Sequence, residues 1–142
     1  MNKTLKIILF GIVSGLIWSL ISFHSAFTEP DHQSILPILS IGIATGIAVS
    51  FTLKVPLAKC GMLWSLILGL LSFPLGAFIY GFLYMCFSMI SEKDFSLITP
   101  FVAGFYGALT GVISFFYLFP VAVLTTFILR AVIRSNNLSL KH

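Results

Sequence analysis

The side chains that could do acid–base or metal chemistry in this chain gather in two short stretches. His24, with Ser22 and Ser25 close by, is followed by Glu29, Asp31 and His32, and Glu92 and Asp94 come much later. A Ser near a His with a carboxylate in reach is the raw material of a nucleophile–base pair, and His with carboxylates can ligate a divalent cation. Neither chemistry has its spacing here. There is no His-Glu-x-x-His, no Gly-rich phosphate loop and no zinc pattern. Acidic connections on one side of a membrane also arise from charge asymmetry with no ligand involved. No catalytic, cofactor-binding or metal-ligating residue is assigned, no cofactor is expected, and the chain reads as non-enzymatic.

Cys60 and Cys86 fall on one predicted helix, about 39 Å apart, too far to pair within the chain. They read as free thiols. The other residues of interest are uncharged. Pro74 and Pro120 sit deep in two apolar stretches, and each frees the carbonyl four residues earlier, Leu70 and Phe116. A freed carbonyl at membrane depth needs a neighbour, a hydroxyl or water. Ser72, Thr110, Ser114, Tyr117 and Thr125 are the hydroxyls at hand. Together Ser72, Pro74, Thr110, Ser114 and Pro120 mark either a kinked polar cavity or packing bends in overlong helices, and bends are the commoner case.

These residues must be carried by membrane-spanning helices. Charged residues are 8% of the chain and apolar residues 58%, against about 25% charged in soluble domains. Four uncharged stretches predict helices over 5–27, 34–55, 61–90 and 100–130, with a polar tail over 131–142. Thr99-Pro100 opens the last as N-cap and N1, Pro37 fits the first turn of the second, and Pro56 is expected to stop it. The basic leader Lys3–Lys6 before an apolar run also fits a signal peptide, but the run is longer than an h-region and lacks a small-x-small cleavage pattern. The expectation is one all-α transmembrane domain, residues 1–142, folded as an antiparallel four-helix bundle.

Charge sets the orientation. Seven of the eight Lys and Arg lie on one side: Lys3, Lys6, Lys54, Lys59, Arg130, Arg134 and Lys141. The other side has Lys93 and all four acids. By the positive-inside rule both termini face the cytoplasm, and a bacterial inner membrane is the expected location. The net charge of +4 reports this orientation and is no nucleic-acid patch.

Three helices carry glycines four apart around a hydroxyl: Gly11 and Gly15, Gly42 and Gly46, Gly107 and Gly111. Gly69-Leu70-Leu71-Ser72 is a weaker version. Two readings stay open, a duplicated hairpin (helices 1–2 and 3–4) and the shared composition of membrane helices. Small residues four apart let two backbones approach, within one chain or between two. In span number and terminus placement the chain is similar to small fluoride channels, GtrA-type lipid-linked sugar flippases and immunity proteins against pore-forming bacteriocins. Helix 1 carries no Arg and helix 2 no Asn, both expected of fluoride channels.

The first functional expectation is a non-enzymatic protein acting through helix–helix contacts with another membrane protein or with itself, in an accessory, assembly or immunity role. Its surroundings are membrane lipids. The alternative is a small transporter or channel for a neutral or lipidic substrate.

Overall fold

The computed structural model describes residues 2–26, 35–92, 96–114 and 116–138, and among these it is all-helical. In chain order the elements are α1 (Lys3–Ala26), α2 (Ile35–Lys59), α3 (Met62–Glu92), α4 (Thr99–Ser114), a 3-10 turn (Phe116–Leu118) and α5 (Phe119–Leu138). Four helices, α1, α2, α3 and α5, are long and apolar enough to cross a membrane, and α4 is a shorter apolar helix.

Two prolines behave differently from expectation. Pro56 does not stop α2, which runs on to Lys59. The proline removes one N–H, the one that would bond the Thr52 carbonyl, and the next turn still closes through Cys60 N–H to the Pro56 carbonyl at 2.9 Å. Nor is the last stretch one kinked helix over 100–130. It is divided by the 3-10 turn Phe116–Leu118 into α4 and α5, with Pro120 the second residue of α5. Proline is tolerated in a first turn, whereas an interior site would leave the Phe116 carbonyl without its intrahelical partner. The chain ends one helix and starts another. Pro74, by contrast, stays inside the 31-residue α3.

α2 runs antiparallel to α1, and α4 and α5, one after the other, both run antiparallel to α3. α1 and α2 cross where Gly11 and Gly15 meet Gly42 and Gly46. A methyl placed on Gly11 would lie 2.7 Å from Ile47 Cα, so the absent side chains are what let the backbones touch. The pair α3–α4 uses the same device with other residues. A methyl on Gly107 would be 2.9 Å from the Ala77 carbonyl oxygen, and one on Gly81 would be 2.7 Å from that of Ala103. The small face of α3 toward α4 is therefore Ala77–Gly81. Gly69 instead meets Val123 of α5, where a methyl would come within 2.9 Å of Cα. Rings fill the rest of the α3–α4 seam, with Phe78 edge-on to Phe105 at 5.3 Å and Phe82 to Phe101 at 5.1 Å.

The buried core lies at the end of the bundle that carries the N-terminus, the α2–α3 turn and the end of α5. There Ile7, Leu53, Leu57, Leu129 and Ile133 pack together, flanked by Phe10, Val49 and Leu68. Beside it, Arg130 and Arg134 both donate from Nη2 to the Cys60 carbonyl, at 3.2 and 2.7 Å, stapling α5 to the turn. At the opposite end the helices part. Among the described residues α4 packs on α3 and the 3-10 turn, and away from α1 and α2.

Candidate functional site

Between α4 and α5 lies the 3-10 turn, with Gly111 over Ala77 and the Phe119 ring 5.1 Å from that of Phe73. Leu118 of this turn borders a cavity of about 310 Å³ within the bundle, walled by all five helices. That volume is at the small end of small-molecule sites.

The wall is built from one face of each helix. On α2 the lining residues are Gly42, Thr45, Gly46, Val49, Ser50 and Leu53, and on α3 they include Ser72, Phe73, Gly76, Ala77, Tyr80 and Gly81. Both sets follow the three-and-four spacing of a single helix face. Ser14, Trp18 and Ser19 come from α1, Gly107, Thr110 and Gly111 from α4, and Ala122, Thr125, Thr126 and Leu129 from α5, with Leu118 from the turn between them. Glycines do two jobs here. They bring α1 against α2 and α3 against α4, and the same missing side chains leave room in the wall.

Among the described residues no Asp, Glu, Lys, Arg or His lines the cavity. Its polarity comes from hydroxyls, and these bond back along their own helices. Ser14 donates to the Gly11 carbonyl at 3.2 Å and Ser19 to Gly15 at 2.8 Å. Thr45 donates to Ile41 at 2.8 Å and Ser50 to Gly46 at 2.7 Å. Ser72 donates to Gly69 at 2.7 Å, Thr110 to Tyr106 at 2.7 Å and Thr125 to Val121 at 2.6 Å. Thr126 donates to Ala122 at 2.9 Å and lies 3.3 Å from Ser72 Oγ. Such back-bonding hides a hydroxyl proton from apolar surroundings. Trp18 closes one flank, its ring 5.6 Å from Phe73.

Of the residues singled out from sequence, Ser72 and Thr110 line the cavity, as do Gly15, Gly42, Gly46, Gly107 and Gly111. Gly11 stays in the α1–α2 crossing. Pro74 and Pro120 are not in the wall, though Phe73, Gly76 and Leu118 beside them are. The side chains of Ser114, Ser22, His24, Ser25, Glu29, Asp31, His32, Glu92 and Asp94 lie outside the described residues. Among the described residues no group of three His, Cys, Asp or Glu comes together, and Cys60 and Cys86 are free. Sequence reasoning passed over Ser19, Ser50 and Thr126; it read Ser14 and Thr45, the hydroxyls inside the glycine pairs, as helix-packing groups and Tyr80 as a belt or packing residue, whereas all three line the cavity. For Ser19 and Ser50 a signal was present, since each falls four residues after a glycine, Gly15 and Gly46, on one helix face, whereas Thr126 has no glycine or hydroxyl at that spacing. A wall of hydroxyls and rings offers hydrogen-bonding and apolar contacts to a guest.

Compared with known protein families, curated proteins and solved structures, the chain matches none.

Proposed function

We propose that this chain is a multi-pass protein of a bacterial inner membrane, with both termini cytoplasmic, and that it carries a small uncharged polar solute through its central cavity. One observation carries this reading: a hydroxyl-lined, charge-free cavity at mid-bundle, beside a helix broken at the same level. Broken helices at membrane depth belong to protein-lined cavities, because irregular backbone facing lipid leaves polar groups unsatisfied.

The two ends of the bundle support a direction of access. In the proposed orientation the cytoplasmic side is sealed by the aliphatic cluster of Ile7, Leu53, Leu57, Leu129 and Ile133 and by the arginine staple to Cys60. The outer side lies between the α1–α2 and α3–α4 hairpins, where α4 stands apart from α1 and α2. This is an outward-accessible, inward-closed arrangement. Release to the cytoplasm requires α5 to move off the plug, and the 3-10 turn Phe116–Leu118 lets it do so without dragging α4.

The alternative, contact with another membrane protein or a second copy, drew on the glycine faces. Those faces are occupied within the chain: Gly11 and Gly15 by α2, Gly107 and Gly111 by α3. The cavity therefore has the stronger support. Reconstituted protein should swell proteoliposomes in gradients of small neutral solutes. Ser72→Leu and Thr110→Leu, which push side chains into the cavity, should abolish the flux while the fold persists. Absence of flux in the parent, or full flux in both variants, overturns the reading.

A further inference from the structure

Every Ser and Thr hydroxyl in the cavity wall, eight in all, commits its proton to a main-chain carbonyl of its own helix. A hydroxyl has one proton and two lone pairs. These oxygens therefore keep acceptor capacity toward the cavity and have no proton left for a guest. Ser72 makes the point locally: its proton goes to Gly69 and that of Thr126, whose Oγ1 is 3.3 Å away, goes to Ala122, so the Ser72 oxygen keeps lone pairs for a donor that a guest brings. The wall's other side-chain donors are the Trp18 indole and the Tyr80 phenol. Turning a committed proton toward a guest gives up a bond of 2.6 to 3.2 Å, a penalty of roughly fivefold in affinity.

We propose that the cavity selects its solute by the donors the solute brings: a small, uncharged molecule rich in O–H or N–H groups, such as a short polyol or a primary amide. An anion would meet two side-chain donors and no cation, and would lose its hydration without replacement. An acceptor-only solute would leave both its own lone pairs and those of the wall unmatched. A metal cation would find oxygens but no carboxylate to balance its charge. The assignment rests on the solute-carrier reading and narrows it to a chemical class.

The test uses the full chain in nanodiscs with Trp64→Phe, which leaves Trp18 in the cavity wall as the sole indole reporter. The probes are the isomers 1,4-butanediol and 1,2-dimethoxyethane, equal in size and differing in the presence of O–H donors, together with formate. The diol is expected to shift Trp18 emission saturably and to bind at least roughly tenfold more tightly than the ether. Formate should give no response. Thr110→Val should weaken the diol about fivefold and leave the ether unchanged. Ether or formate binding as tightly as the diol overturns donor selection while the carrier reading stands. No saturable response to any probe, with no solute flux in liposomes, overturns both. If Thr110→Val fails to fold, the comparison of probes on the parent decides alone.

Discussion

The α1–α2 crossing offers a stringent check on this packing, because one chemical change should act oppositely at two sites. Gly→Ala in a helix interior ordinarily stabilises by about 1 kcal/mol through backbone propensity. At Gly76 the added methyl would lie 3.8 Å from Val49 Cγ2, an ordinary contact. At Gly11 it would lie 2.7 Å from Ile47 Cα and 3.0 Å from Ile47 N. Those are main-chain atoms of a helix and cannot rotate aside. Reaching the lower edge of ordinary contact at 3.4 Å moves the helices apart by about 0.7 Å. A gap of that size forfeits roughly a quarter to a half of the dispersion energy of each atom pair it opens. Gly15, Gly42 and Gly46 share the crossing and would open with it. Dispersion is the principal attraction between helices in lipid, so no water-exclusion term compensates. Gly11→Ala should then cost about 1–3 kcal/mol net, while Gly76→Ala should be neutral or stabilising by up to about 1 kcal/mol. Reversible unfolding in mixed micelles, followed by tryptophan emission and far-UV circular dichroism, reads both. Gly11→Ala as stable as the parent, or Gly76→Ala as damaging as Gly11→Ala, would refute the close crossing.

Two further perturbations address the sealed end. Arg130 and Arg134 share one acceptor, the Cys60 carbonyl, so either guanidinium can satisfy it alone. Arg130→Met with Arg134→Met should therefore cost more than the sum of the single changes, by about 1 kcal/mol or more in a double-mutant cycle. A simply additive pair would refute the shared staple. Arg134, at 2.7 Å against 3.2 Å, should be the costlier single loss, since Arg130 also keeps a buried Nε with no hydrogen-bond partner. Leu57→Ala hollows out the aliphatic plug, where Leu57 is fully buried against Ile7, Leu129 and Ile133. We expect roughly 2 kcal/mol of destabilisation, the low end for such truncations. The same variant should raise solute leak in proteoliposomes, and tight vesicles would argue against this cluster as the barrier.

The local origin of the site was partly legible. Ser72 and Thr110 stood out because a proline or a glycine pair lay beside them, and both line the cavity. Ser14 and Thr45 stood in the same kind of glycine pair but read as packing hydroxyls, and Ser19, Ser50 and Thr126 did not stand out, because a Ser or Thr in an apolar helix can face lipid equally well by back-bonding to its own carbonyls. Only the identity of the neighbouring helix separates a lining hydroxyl from a lipid-facing one.

Some properties of this protein follow from sequence because they depend on sums along the chain. Span length and hydropathy decide which stretches can cross a membrane, and α1 to α3 begin and end within about four residues of the stretches read from the sequence alone. Lys and Arg counts bias orientation in the same additive way. Other properties depend on which surfaces meet. A proline's lost hydrogen bond can be absorbed by continuing, kinking or breaking a helix. Pro56 and Pro74 lie inside helices that continue past them, whereas Pro120 stands in the first turn of a new helix after a divided one. A small-residue stripe records that a close approach is available and leaves the partner open. Gly107 meets Ala77 rather than a second chain, and Gly69 meets Val123 rather than α4. The cavity is the space left between those choices, so it exists only once all of the helices have packed.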